Sequence, residues 1–171
     1  MRAAIALALI AATTSAWADD DHDIMDDAPK SGAAESADHA WRIRFRQAAP
    51  DDEWKNRGEV TVYHHGRRVL RHRIPRVVSR AAWSPDSKFC VFTTINVHGH
   101  QAWSYMGVVF STADHSFRWL DESINAPDLR FEPPDIVLVH VLSEHSPIRN
   151  GPEVRVPLHS VVAKLRHDNE T

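Results

Sequence analysis

The chain has 171 residues and a formal net charge of −3, and its single cysteine, Cys90, excludes an internal disulfide. The fold must therefore depend on an apolar core, which a chain of this length can build. The small net charge conceals an asymmetry: residues 19–40 carry eight acids against one lysine, a net of −7, whereas residues 41–171 carry 18 Lys+Arg against 15 acids, a net of +3. This pattern is typical of a solvated acidic segment joined to a mildly basic domain.

Residues 1–18 have the features of a cleavable secretory signal. Arg2 gives a positive start, residues 3–12 are apolar, and Ala16 and Ala18 flank Trp17 in a small-x-small cleavage site. The apolar run is about half the ~20 residues that a membrane-spanning helix needs, so we predict no integral membrane segment after cleavage. The mature protein is expected to be periplasmic or secreted.

Residues 19–40 lack apolar periodicity, which predicts a disordered acidic linker. A single β-rich domain is expected over residues 41–171, and its first strand has a period of two. There the apolar side chains alternate with three arginines, Arg42, Arg44 and Arg46. Residues 64–67 predict a hairpin turn after the second strand, because Gly66 can adopt a positive φ. In the returning strand Arg71 and Arg73 again alternate with apolar positions.

The next strands are predicted from longer apolar runs. Residues 89–95 are apolar on both faces, as in an interior strand. Further strands are expected at residues 102–110, 117–120, 136–142 and 154–156, with residues 121–134 mostly loop because of their three prolines. Ser160 is expected to cap a brief helix ending near Leu165. No stretch of residues 41–159 has a sustained 3.6-residue period, so we predict an all-β fold of antiparallel meanders with a possible short C-terminal helix.

Residues 82–92, with the sequence AWSPDSKFCVF, carry a family resemblance. They resemble the W-S-P-D-G-K-x-hydrophobic signature of WD40-like blades in TolB-type β-propeller proteins, with Ser87 in place of the usual glycine. A second, fainter copy begins at residues 129–135. A closed propeller needs at least four blades of roughly 40 residues, more than residues 41–171 provide. The resemblance therefore implies open or incomplete blade-like meanders that act as a binding platform.

Two groups of residues are candidate sites. His98 and His100, two positions apart in a predicted loop, are suited to a shared Zn²⁺ or Cu²⁺, with a third ligand from His64, His65, His115 or His140. The alternative is a polar loop that collects His and Gly for its turn. The second group is a predicted anion-binding or partner-binding face of five arginines, open to a polyanion or to the chain's own acidic segment. It comprises Arg42, Arg44, Arg46, Arg71 and Arg73. Its alternative is a solvated face whose charges protect exposed strands.

Motifs of catalysis are absent from the sequence: there is no nucleophile elbow, phosphate-binding glycine loop, cysteine pair or zinc-protease helix. Cys90 is predicted to be a buried, inert thiol, and the tryptophans to belong to the core. We therefore expect an exported, non-enzymatic binding module. Its partner is expected to be another exported or envelope protein or a polyanion, and no nucleic acid. The alternative is a periplasmic metal-binding protein that uses His98 and His100, with Zn or Cu as its only candidate cofactor.

Overall fold

The computed structural model describes residues 31–47, 58–74, 77–95, 105–120, 124–143 and 146–167. These residues form eleven strands in three antiparallel sheets, each a meander of consecutive strands. The first sheet contains β1 (Ser31–Glu35), β2 (Trp41–Gln47), β3 (Gly58–His64) and β4 (Arg67–Ile74). The second contains β5 (Val77–Trp83), β6 (Phe89–Ile95), β7 (Tyr105–Ser111) and β8 (Ser116–Trp119). The third contains β9 (Ile124–Glu132), β10 (Ile136–Ser143) and β11 (Ser146–Pro157).

A short helix, α1 (Leu158–Val161), and a 3₁₀ turn (Val162–Lys164) follow the last strand. The prediction of all-β meanders with a short C-terminal helix is thus confirmed. The helix begins before the predicted cap, because the buried Asp135 carboxylate accepts a hydrogen bond of 2.6 Å from the backbone N–H of His159. Within the described ranges, no helix is long and apolar enough to cross a membrane.

The second sheet lies between the other two and is covered on both faces. On one face Cys90 and Phe92 belong to a core shared with the first sheet, whose members include Ile43 and Val60. On the other face Phe89, Val91 and Val109 pack in a core with residues of the third sheet and α1: Val137, Val139 and Leu158. This confirms the prediction of an interior strand at residues 89–95. The outer faces of the first and third sheets are not covered by another sheet, and both carry charged side chains, among them Arg42 and Arg155.

The folded part starts earlier than predicted, because Ser31–Glu35 pairs with β2 along its whole length. The prediction of a linker up to residue 40 is wrong for residues 31–40. This strand has no large apolar side chain, so it shows no periodicity, and its contacts come from its neighbours. The ring of Phe45 lies so close to Gly32 that a Cβ there would be 2.2 Å from its Cζ. The indole N–H of Trp83 donates to the carbonyl of Ala34 at 3.2 Å.

One turn occurs twice with the same hydrogen bonds. Between β5 and β6, the Ser84 hydroxyl accepts from the backbone N–H of Phe89 at 3.0 Å, and the Asp86 carboxylate accepts from that of Lys88 at 3.2 Å. Between β1 and β2, the hydroxyl of Ser36 accepts from the backbone N–H of Trp41 at 2.9 Å, and the carboxylate of Asp38 accepts from that of Ala40 at 3.1 Å. The residue after each aspartate, His39 or Ser87, has a positive φ of 58° or 61°.

These turns also touch the next sheet along the chain. The backbone N–H of Asp38 donates to the Ser87 hydroxyl at 3.3 Å, and that of Asp86 donates to the Pro134 carbonyl at 3.1 Å. Because the second of these bonds ends at Pro134, the turn between β9 and β10, which contains Asp135, has the same place in the third sheet as the two Ser-x-Asp turns have in the first and second. Three sheets whose first hairpins meet in sequence are blade-like repeats, and among the described residues they form an open stack of three.

Two further regions differ from the sequence prediction. Residues 124–132 form β9, although Pro127 had predicted a loop there. Because β9 is an edge strand of its sheet, the missing N–H of Pro127 is tolerated. The final strand begins at Ser146, eight residues before the predicted start at Val154. The predicted hairpin at residues 64–67 is confirmed, with positive φ at both His65 and Gly66.

Candidate functional site

The outer face of the first sheet carries the five predicted arginines. Along β2 burial alternates strictly, with the three arginines exposed and Trp41, Ile43 and Phe45 buried. Along β4, Arg71 and Arg73 are exposed, whereas His72 and Ile74 are buried. Because residues that pair across strands share a face, the two sets of arginines lie on the same side of the sheet. We call this surface, Arg42, Arg44, Arg46, Arg71 and Arg73, the arginine face.

The pairing of strands sets the arginines in rows. Arg46 is opposite Glu59, which is opposite Arg73 on the next strand. Arg44 is opposite Thr61, which is opposite Arg71. The Cα atoms of successive arginines along β2 are about 6.8 Å apart, and each row spans about 10 Å from β2 to β4.

One carboxylate lies within the arginine face. Glu59 is nearly buried, with a side chain only 10% exposed, and it forms ion pairs with Arg71 and with Arg46, the second at 3.0 Å. The hydrogen bonds from Arg71 and then Arg46 lower the pKa of Glu59 from 4.5 to about 2. This carboxylate therefore stays ionised and holds two of the five guanidiniums in place. The sequence prediction did not include Glu59, although its position opposite Arg46 follows once the β2–β3 pairing is known.

The other end of the face is less neutralised. Arg42 and Arg44 form no ion pair with any described residue, and the guanidinium of Arg44 lies 5.6 Å from the centre of the Tyr63 ring. Both arginines line a cleft of about 270 Å³. Its other lining residues are Glu35, His39, Ala40, Tyr63 and Gly66. Glu35 itself is engaged by the imidazole of His39 at 3.0 Å.

Charge distinguishes this face from the opposite side of the stack. The arginine face and Arg68, which is opposite Tyr63, place six arginines beside Glu59 and Glu35 on the outer side of the first sheet, so positive charge is in excess there. On the outer side of the third sheet, Arg130 pairs with Glu153 and Arg155 pairs with Glu132, so those charges cancel. Among the side chains that the structure describes, the two outer faces therefore differ in charge, and the positive surplus lies on the arginine face.

The predicted histidine pair, His98 and His100, lies outside the described residues. The flanking positions Ile95 and Tyr105 pair with each other at one end of the second sheet. His64, His65 and His115 lie at the opposite end, in or beside the hairpin turns. Among the described residues, no three His, Cys, Asp or Glu side chains are grouped so that they could hold a metal ion. Metal binding at His98 and His100 stays a prediction.

The histidines at the turn end pack on aromatic rings instead. The imidazole of His64 stacks on Trp41 with ring centres 4.1 Å apart, and that of His115 meets the same indole edge-on at 5.5 Å. Trp41 and Trp119 are buried and Trp83 is half-buried, which confirms their prediction as core residues. The predictions for Trp54 and Trp103 concern positions outside the described residues.

Two further polar groups are buried. Burial raises the pKa of the Cys90 thiol well above its usual range, so this thiol is held in its neutral form. Arg118 is 7% exposed and forms an ion pair with Asp114, which holds the pKa of that carboxyl well below its usual range. Both groups lie in packed regions of the second sheet, away from the arginine face.

Comparisons with known proteins bear on the fold alone. No protein-family model and no curated protein matches the chain. Among solved structures it is similar to Kuenenia stuttgartiensis hydrazine synthase, with a TM-score of 0.50 and 14% sequence identity. The similarity covers 78% of this chain and 41% of that one, so this chain spans less than half the length of the protein it matches.

Proposed function

We propose that this protein is a non-enzymatic binding module, exported to the periplasm or secreted, whose arginine face binds an acidic polypeptide segment of another exported or envelope protein. The signal-like residues 1–18 support the export, and the repeated Ser-x-Asp turn supports blades of the WD40-like, TolB type. The observation that carries the binding is the pair Arg42 and Arg44 on the arginine face, both exposed and in no ion pair with a described residue.

The spacing of the arginines favours a polypeptide as the ligand. Alternate side chains of an extended chain project to one side about every 6.8 Å, which is also the repeat of Arg42, Arg44 and Arg46 along β2. Carboxylates on such a chain can each meet a guanidinium, whose planar fork binds a carboxylate with two hydrogen bonds. The half-exposed phenol of Tyr63 adds a polar and aromatic contact beside the cleft.

The test is binding of fluorescent poly-L-aspartate to the mature protein, followed by anisotropy. We expect binding at about 20 mM salt that weakens strongly by about 500 mM, where screening is severe. The variant R42Q/R44Q should lose most of the affinity. The matched control is R130Q/R155Q, which removes the same charge from the other outer face. Binding that is absent at low salt, or equal losses in the two variants, would contradict the proposal, and a clear preference for polyphosphate over poly-L-aspartate would contradict the choice of polypeptide.

A further inference from the structure

The first described strand begins beside the arginine face. Ser31 pairs with Arg46, so the chain that precedes β1 ends next to one row of the face. Residues 19–27 carry six aspartates and neither Lys nor Arg. We call residues 19–27 the acidic leader. It is the most negative part of the mature sequence, and it is joined to the edge of the most positive sheet face described.

The aspartates of the acidic leader have the spacing of the arginines. Asp19, Asp21 and Asp23 are two residues apart, as are Arg42, Arg44 and Arg46. On an extended backbone those three carboxylates lie on one side, about 6.8 Å apart. Asp20 lies on the opposite side of that backbone, and Asp26 and Asp27 belong to residues 24–30, which connect the three aspartates to β1.

The connection is long enough for the acidic leader to fold back. Residues 24–30 separate Asp23 from β1 and span up to about 23 Å when extended. The distance from β1 to β2 is only about 4.8 Å, so these seven residues can reverse direction and place Asp23 near Arg46. Tethering at this distance gives a local ligand concentration in the millimolar range.

We propose that Asp19, Asp21 and Asp23 of the mature chain bind the arginine face and compete with an outside acidic partner. The inference rests on the proposed function, because it assigns the same ligand chemistry to the same face. The outer face of the sheet is then covered by the protein's own N-terminus until a longer or more acidic segment displaces it.

Matched charge variants test this competition. D19N/D21N/D23N removes the aspartates that share the arginine spacing, and D20N/D26N/D27N removes three charges from the same segment outside it. We expect the first variant to bind poly-L-aspartate about fivefold more tightly than the parent at low salt, and the second to gain at most about twofold. Equal gains in both variants, or no gain in either, would overturn the inference.

A direct measurement separates this inference from the proposed function. A spin label can be attached at H22C because the other cysteine, Cys90, is buried and does not compete for the label. The label should broaden the backbone amide signals of Arg42, Arg44 and Arg46 but not those of Val137 and Val139. The broadening should disappear at about 500 mM salt. If poly-L-aspartate fails to bind even D19N/D21N/D23N, whose arginine face is uncovered, while the parent shows this broadening, the proposed function is wrong and only the contact of the acidic leader with the arginine face remains. If the polymer binds without broadening, the inference is wrong.

Discussion

Removing either serine of the repeated turn should destabilise the whole domain. The hydroxyl of Ser84 accepts from the Phe89 N–H at 3.0 Å and donates to the Asp86 carboxylate at 2.7 Å, in a fully buried position. The hydroxyl of Ser36 makes the corresponding bonds, accepting from the Trp41 N–H at 2.9 Å and donating to the Asp38 carboxylate at 2.5 Å. Substitution by alanine leaves a buried backbone N–H without its partner in each case.

The magnitude follows from that unsatisfied donor. A buried N–H that loses its acceptor costs about 1–3 kcal/mol, and in a domain of this size each kcal/mol lowers Tm by about 2–4 °C. We therefore expect S84A and S36A each to lower Tm by about 2–12 °C. The effects should be similar to each other because the two turns share their hydrogen bonds.

Thermal and urea unfolding, followed by circular dichroism, provide the assay. The control is S160A, since Ser160 is exposed on α1 and its loss should change Tm by less than about 1 °C. If the Tm values of S84A and S36A both equal that of the control, the hydrogen bonds of the two turns do not stabilise the fold. If only S84A is destabilised, the two turns are not equivalent, and residues 31–40 contribute little to folding.

Three further predictions concern single positions. The pKa of Glu59 falls from 4.5 in the unfolded chain to about 2 in the folded protein, so its ion pairs stabilise the protein above pH 4.5 and are lost as the pH falls towards 2. In urea unfolding, E59Q should be less stable than the parent at neutral pH, and the difference should shrink between pH 4.5 and pH 2. G32V places a Cβ within 2.2 Å of Phe45, so it should cost about 1–3 kcal/mol by thermal unfolding, whereas A33V on the exposed side of β1 should be nearly neutral. Cys90 should resist a thiol reagent in the native protein and react once after denaturation; rapid native labelling would contradict its burial.

Much of the fold follows from local pattern. The alternation in β2 and the two-sided apolar run in β6 were sufficient to predict which strands face solvent and which lie inside. The pattern was not sufficient for β1, whose residues are Ser, Gly, Ala and Glu, because its contacts come from Phe45 and Trp83 on other strands. When a strand is held by side chains from other strands, its own sequence need not show an apolar period.

The arginine face was predictable in part for the same reason. Alternation places Arg42, Arg44 and Arg46 on one side of β2, but it does not say which strand lies beside them. The role of Glu59 depends on the β2–β3 and β3–β4 pairings, which bring Arg46 and Arg71 to the same carboxylate. The Ser-x-Asp sequence at Ser36 is the same as that at Ser84, but the acidic residues around Ser36 favoured its interpretation as part of a linker.

The end of the chain has a consequence for handling the protein. Residues near the C-terminus return to β8: the backbone N–H of Trp119 donates to the carbonyl of Arg166 at 2.9 Å, and His167 forms a bridge with Arg118. A strand edge left open pairs readily with the same edge of another molecule. Trimming the last few residues by a protease, or replacing them with a purification tag, would uncover that edge and invite self-association in concentrated samples.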